Sequence, residues 1–389
     1  MKKLYDIIYR IVKSVFKFRN NYRIEYTTTD GLIVDPLMPY ISDIEGFQLD
    51  PKELKLKIVS NIYKDGKGTI TFNRKIRSIG FQMFSSCPTL SSIKIPNSVT
   101  RIRYGAFDHC IALNDITIGK NVIIIEAEAF NQCTSLKTIT IPNNVVEIGE
   151  GAFFGCTNLE SITLPNSVTQ MGDCIFSHCS NLKQVSIGTG IVSLSKDSFL
   201  KCSTLTNIIF SNNITKISSC AFWQCESLES ITIPNSIKEI GYGAFYKCNS
   251  LSAVHITDLA TWCNIKFESE DANPLYLGKK LYLNNKLVTD LNIPISTSSI
   301  GEFTFYDYPY LTSVIIPDSV ININSSAFED CKNLESVFCK AAIPPTIGDN
   351  VFNHNANKRK IFVPKSSIES YATSENWNKY ASDIIGYDF

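Results

Sequence analysis

Cysteine is the residue whose abundance first suggests chemistry, with 13 in a chain of 389 residues. Eight of them, Cys87, Cys110, Cys133, Cys156, Cys179, Cys202, Cys225 and Cys248, follow one another at intervals of 23 residues. Zinc asks four thiolates or imidazoles to converge on one point. A constant long interval instead describes a line of equivalent positions, about 4.8 Å apart if each interval is one rung of a sheet, and a line brings only two thiols near any one spot. Buried free cysteine packs as a small apolar group, so the column reads as core. Cys174 and Cys220 form C-x-x-x-x-C with Cys179 and Cys225, but they sit in equivalent positions two repeats apart and without histidine at ligand spacing. Adjacent rungs reach Cα separations at which disulfides form, yet eight identical rungs favour no pairing, so free thiols are expected.

The four histidines, His109, His178, His255 and His354, are scattered, and none is matched in sequence with a nucleophile and an orienting acid. Neither G-x-x-x-x-G-K-[ST] nor a strand-linked G-x-G-x-x-G occurs. The expectation is a chain with no catalytic residue, no metal ligand set and no cofactor.

The elements that position the cysteines are legible around them. Three residues before each stands a phenylalanine: Phe84, Phe107, Phe130, Phe153, Phe176, Phe199, Phe222 and Phe245. Leucine follows three residues after, as at Leu90, Leu136 and Leu251. Ile93 and Ile95 then alternate with Ser92 and Lys94, the period of a strand with one buried face. Proline, which has no N–H to donate, ends that strand at Pro96, Pro142, Pro165, Pro234 and Pro317. A unit this small buries its apolar side chains only by stacking on its neighbours. The full pattern, L-x-x-I-x-I-P-x-x-V-x-x-I-G-x-x-A-F-x-x-C, resembles the BspA-like leucine-rich repeat family and spans roughly residues 70–364. The resemblance implies an α/β-type repeat solenoid, a right-handed leucine-rich repeat array with a parallel β-sheet.

Five segments follow. Residues 70–256 hold the regular repeats. Residues 257–293 form a 37-residue variant with an Asp258-Leu-Ala-Thr-Trp-Cys segment, which resembles an insertion recurring in such proteins. The same variant has two alternating runs around Asn284 and Asn285, read as a β-hairpin projecting from the array. Repeats resume over 294–352 through Phe305, Phe328 and Phe352, and 353–389 form a C-terminal cap. In the cap a last strand ends at Pro364, and Ser366 with Glu369 predicts a capping box opening a short helix through Tyr371. Residues 1–69 lie outside the repeat. Leu4, Ile8, Ile11, Val15 and Phe18 at helical spacing predict a basic amphipathic helix over 1–18, a pattern that allows peripheral membrane contact. An irregular lead-in punctuated by Pro36, Pro39, Gly46 and Pro51 follows.

Lys plus Arg equals Asp plus Glu at 37 each, which argues against nucleic acid as the main partner. No stretch of 18 uncharged apolar residues occurs, so no transmembrane segment is expected. Residues 1–23 carry seven Lys or Arg against Asp6, with the apolar residues interrupted by Asp6, Arg10 and Lys13, which reads as no secretory signal. What remains is surface. The outward strand positions Lys94, Thr117, Thr140, Thr163, Ser186, Ile209, Thr232 and His255 make a hydroxyl-rich stripe that is either a partner-binding face or ordinary exposed sheet. A second stripe, Ile123, Val146 and Val192, is apolar and expected to be partly covered by an adjacent turn. The family resemblance implies a bacterial protein at the cell surface or secreted. Its function would be non-catalytic, adhering to a protein partner such as a host extracellular-matrix protein. The absent export pattern keeps a cytoplasmic interaction scaffold as the alternative, with an enzyme of unrecognised site third. A column of packed thiols needs no metal, so EDTA is expected to leave the melting temperature unchanged, and a metal-dependent shift in thermal unfolding would overturn that reading.

Overall fold

The computed structural model describes residues 22–37 and 56–389. The helix expected over residues 1–18 lies outside them, as do Pro39, Gly46 and Pro51. The chain divides into two compact units, Met1–Gly190 and Ile191–Phe389, and each is a stack of parallel β-rungs.

In the first unit each repeat contributes to two ladders. One holds the L-x-x-I-x-I strands, with Leu90–Lys94 pairing parallel to Asp115–Thr117 and Ser161–Thr163 to Gln184–Ser186. The rung between them is irregular and connects through the single bridge Thr138↔Ser161. The other ladder holds two-residue strands around the V-x-x-I isoleucine, running Ser78–Ile79, Arg101–Ile102, Ile124–Ile125, Glu147–Ile148 and Gln170–Met171 in register. The third side, carrying A-F-x-x-C, is a succession of turns. Its backbone is satisfied from one rung to the next, Phe84 N donating to Ala106 O at 2.8 Å, Phe107 N to Ala129 O at 2.8 Å and Phe130 N to Ala152 O at 2.8 Å. The α-helices of the described residues are short, Leu259–Cys263 and Ile368–Thr373, and no repeat has one on this side.

Those turns require two left-handed residues per repeat, two before and two after the phenylalanine. Gly105 and His109 have φ of 57° and 56°, Gly151 and Gly155 56° and 66°, and Cys174 and His178 55° and 63°. Cys174 and Cys220 therefore occupy backbone positions that glycine fills in other repeats, which accounts for C-x-x-x-x-C without a metal. The consensus I-G glycine has a different origin. A Cβ on Gly149 would lie 2.4 Å from the Ala127 amide nitrogen, so at this rung the side chain is excluded by the preceding backbone.

Phenylalanines from successive rungs stack as a column. Phe84, Phe107, Phe130, Phe153 and Phe176 are fully buried, with centroids 5.4, 5.3, 5.3 and 5.5 Å apart and near-parallel planes. In the second unit Phe199, Phe222 and Phe245 repeat the arrangement at 5.4 Å, and Phe305, Phe328 and Phe352 continue it at 5.2 and 5.7 Å.

Most of the irregular lead-in lies outside the described residues, and its described end holds the strand Ile58–Lys64, followed by the strand Lys67–Phe72 at the entry to the repeats. Arg23–Thr28 pairs antiparallel with Lys67–Phe72 on one side and with Leu90–Lys94 on the other, and Ile58–Lys64 completes the sheet. An antiparallel cap of this kind covers the open edge of the first ladder, the place where a solenoid otherwise exposes unpaired backbone. The Tyr26 ring lies against Gly68, where a Cβ would fall 2.1 Å from the ring, and its hydroxyl donates to Asn61 Oδ1 at 2.7 Å.

The hairpin around Asn284 and Asn285 forms, with φ of 50° and 66° and the pairs Tyr282↔Leu287 and Leu283↔Lys286. It does not project freely, because Lys280–Leu283 is itself a parallel rung on Ala253–Ile256. Asp258 caps Leu259–Cys263 by accepting from the amides of Ala260 and Thr261 at 2.8 and 3.1 Å. Lys266–Phe267 then supplies the second-ladder rung on Glu239–Ile240. The variant unit is thus absorbed into the stack.

At the C-terminal end the expected capping box is not made. The helix is Ile368–Thr373 with Ser367 at the N-cap and no side-chain cap bond, because the Ser367 hydroxyl donates to Ala342 O at 2.8 Å. Sequence reading missed the last strand, Ile384–Tyr387, parallel to Lys360–Pro364. Trp377 and Tyr380 close the phenylalanine column over Phe352, at 5.9 and 5.7 Å.

Phe153 is stacked on both faces and fully buried. Phe153→Ala should cost about 3–5 kcal/mol in urea unfolding, and a loss below about 1 kcal/mol would show that the column does not carry the packing.

Candidate functional site

The inner column excludes thiol chemistry by its environment. Cys110 Sγ donates to Phe84 O at 2.9 Å, Cys133 to Phe107 O at 3.2 Å and Cys156 to Phe130 O at 3.2 Å. Cys225, Cys248 and Cys331 make the same bond to Phe199, Phe222 and Phe305 at 3.1–3.2 Å. Burial pushes the Cys156 and Cys248 thiols up to about 12 and those of Cys133 and Cys225 well above the ordinary thiol value. The neutral S–H, which is the donor here, is not the species that ligates metals or attacks electrophiles. None of the thirteen cysteines is joined in a disulfide. Cys87 differs from the rest of the column in being half-buried, and burial with the nearby Asp35 carboxylate raises its thiol to about 11. At the interruption Tyr308 stands three residues after Phe305, where the cysteine belongs, and its buried hydroxyl donates to Val288 O at 2.6 Å.

His109 pairs with its neighbour Asp108 at 2.8 Å, and His178 with Ser177 at 2.9 Å, but Ser177 is fully buried. Glu329, Asp330 and His354 are the one group of three among the described residues whose ligand atoms lie within 4.8 Å of one another.

The outward stripe stands where the alternation places it. In the first unit Lys94, Thr117, Thr140 and Thr163 are exposed and Ser186 is half-exposed, with Lys94 opposite Thr117 and Thr163 opposite Ser186. Lys94 also lies 3.8 Å from Glu25 of the antiparallel cap. In the second unit Ile209 is 58% exposed, Thr232 is exposed and His255 is half-exposed. A depression of about 710 Å³ opens beside Ile209 and Thr232, lined also by Asn207, Phe210, Asn212 and Asn235. His255 stacks on Tyr282 at 5.0 Å. Sequence reading stopped at His255 and missed its register partner Tyr282 and, in the later ladder, the aligned positions Asn292, Ile315, Phe338 and Phe362. Phe338 and Phe362 stack at 4.7 Å with Tyr387 edge-on to both. The signal was present, since each lies between two inward residues of its strand.

On the second stripe Ile123 and Val146 of the first unit are 43% and 38% exposed, and Val192 of the second is 52% exposed, so each is partly covered.

A profile of the BspA type leucine-rich repeat region matches residues 58–183, 123–252 and 275–379, six copies in all. The chain belongs to this family. Among solved structures it is similar to a leucine-rich repeat protein from Bacteroides ovatus, 24% identical over 84% of this chain and 90% of that one, with a TM-score of 0.48. It is also similar to a leucine rich cell surface protein from Faecalibacterium prausnitzii, 24% identical over 85% and 86% of the two chains at a TM-score of 0.37. The pneumococcal vaccine antigen PcpA is 18% identical over 85% and 88% at 0.36. No curated protein matches the sequence. Among the described residues of this BspA-type chain no helix is long and apolar enough to cross a membrane.

The buried thiols give the fold a pH dependence. Their native values are raised toward about 12 for Cys156 and Cys248, whereas an unfolded thiol titrates near ~8.5. The contribution is therefore complete below about pH 8.5 and is lost as pH rises toward 12, by up to about 1.4 kcal/mol per thiol per unit. Urea midpoints should fall from about pH 9 upward, less steeply in Cys156→Ala, and equal slopes for variant and parent would remove the thiol explanation.

Proposed function

We propose that this BspA-type protein is a non-catalytic adhesin that holds a protein partner, with extracellular-matrix proteins of a host as the partner class and the cell surface as its place of action. The observation that carries the reading is the exposed hydroxyl stripe of the first unit, mounted on a stacked core that leaves its side chains free to vary. A rigid scaffold with replaceable outward positions suits recognition, because binding then costs little ordering of the protein. The family supports a repeat surface that binds. A cytoplasmic scaffold is the second reading, and it is separated from the first by whether antibodies label intact cells.

The test places Thr140→Lys, Thr163→Lys and Ser186→Lys together and measures binding to immobilised matrix proteins. The three side chains point away from the buried Ile139, Ile162 and Val185, so the fold should persist by circular dichroism. Binding should weaken at least tenfold, about 1.4 kcal/mol. A variant that binds as well as the parent makes the stripe ordinary exposed sheet.

A further inference from the structure

The turn side of the second unit carries a second surface of different chemistry. In the first unit the residue after each column phenylalanine is mostly small or polar: Ser85, Asp108, Asn131, Phe154 and Ser177. In the second unit the same position holds Leu200, Glu329 and Asn353, and three aromatic residues, Trp223, Tyr246 and Tyr306. Tyr276 joins them, following the buried Leu275, which stands two residues before the left-handed Leu277 just as the phenylalanines stand before theirs. All four aromatic residues are half-exposed. Trp223 and Tyr246 lie 4.6 Å apart, and Tyr276 and Tyr306 stack at 6.4 Å. Between the two pairs lies a crevice of about 90 Å³ lined by Tyr246, Asp271, Pro274, Tyr276 and Leu277. Leu277 is 67% exposed and left-handed at φ 66°, an uncommon state for leucine that places a large apolar side chain on the rim.

At the tyrosine end of this strip carboxylates outnumber cations, with Glu270, Asp271, Asp307, Glu329 and Asp330 set against Lys332 and the His354 ring, whose Nδ1 lies 3.8 and 3.7 Å from the Glu329 and Asp330 carboxylates. Burial and the carboxylates of Glu270, Asp330, Glu329 and Asp307 push the Tyr306 hydroxyl up to about 12, and Tyr276 is raised by burial and by Glu270, Asp271 and Asp307. Lys332 lies near Asp307, and Lys247 and Lys279 flank the crevice at the other end. Lys247 Nζ stands 5.6 Å from the centre of the Tyr246 ring, so a ring of this strip already faces a cation.

We propose that this aromatic and acidic strip binds an extended cationic polypeptide segment, whose Arg or Lys side chains lie over the rings while their charges meet the carboxylates. Cation–π contact is favourable for lysine and more often made by arginine over an accessible ring. Four rungs at about 4.8 Å span roughly 14 Å, the length of four or five extended residues. A polyproline II segment advances about 9.3 Å per three residues, close to two rungs, so basic residues at every third position meet equivalent sites along the strip. The surface lies on the turn side of the repeat, away from the strand positions assigned to the partner in the preceding section, so the two readings fail separately.

The experiment titrates the full chain with fluorescent peptides of repeated Arg-Pro-Pro and Glu-Pro-Pro, and with a neutral oligosaccharide, following anisotropy at low and moderate salt. The arginine peptide should bind, more weakly as salt rises, with the other two probes at least tenfold weaker. Tyr276→Ala with Tyr306→Ala, and separately Glu329→Gln with Asp330→Asn, should each reduce affinity about tenfold, while the triple lysine variant of the strand stripe leaves it unchanged. The second pair preserves side-chain volume, so it reports charge if the tyrosine variant fails to fold. Equal binding of the arginine and glutamate peptides, preference for the oligosaccharide, or undiminished affinity in the carboxamide variant would overturn the proposal.

Discussion

The hydrogen bond from a column cysteine to the phenylalanine carbonyl of the preceding rung, made by Cys110, Cys133, Cys156, Cys179, Cys225, Cys248 and Cys331, is the interaction on which the rest of the repeat depends. The A-F-x-x-C turns hold their backbone groups inside the stack, where an unpaired carbonyl costs roughly 1–3 kcal/mol. Phe107 O receives the amide of Cys110 within its own turn and the thiol of Cys133 from the next. A thiol is small enough for the interior and still donates, whereas alanine would leave the second acceptor site empty. Tyr308 demonstrates the constraint from the other direction. Where the stack is interrupted, a longer side chain with its own O–H stands at the cysteine position and reaches Val288 O instead.

Satisfying the inner groups in this way confines specificity to the outside. Each repeat offers strand positions between inward residues and turn positions after the phenylalanine, and none of these takes part in the column. Hydroxyl side chains dominate the strand positions of the first unit. In the second unit the equivalent positions pass through Ile209, Thr232 and His255 to Tyr282, Phe338 and Phe362, while the turn positions become aromatic and acidic. Two chemically different surfaces can therefore coexist on one repeat design, because a change at either leaves the stacked rings and the thiol bonds untouched.

The ends and the interruption follow from the same requirement for pairing. A parallel ladder has open edges, and the antiparallel strand Arg23–Thr28 covers the first while the cap residues Trp377 and Tyr380 cover the terminal ring of the column. The variant unit preserves the ladders by turning Lys280–Leu283 into a rung and closing it with a two-residue turn at Asn284 and Asn285. Its Trp262 is buried and donates to Thr304 O at 3.3 Å, tying the helical insertion to the next turn.

The 23-residue period, the phenylalanine and cysteine columns, the inward and outward strand positions and the hairpin at Asn284 were legible in the sequence, because each depends on side-chain type at fixed local spacing. The second ladder was hidden, since its strands are two residues long and show no alternation to read. The left-handed turn positions were hidden too. Glutamine, histidine, cysteine and lysine occupy them as readily as glycine, the conformation being imposed by amide bonds to the next rung. Ser366 and Glu369 had the local pattern of a capping box, but Ser367 became the N-cap and gave its hydroxyl to Ala342, a partner 25 residues away. Tertiary structure alone decided which exposed residues meet. Tyr276 and Tyr306 are separated in sequence by the hairpin at Asn284 and Asn285 and by the strands Asp290–Asn292 and Ser299–Ile300, and only the stacking of their rungs brings the rings together with five carboxylates around them.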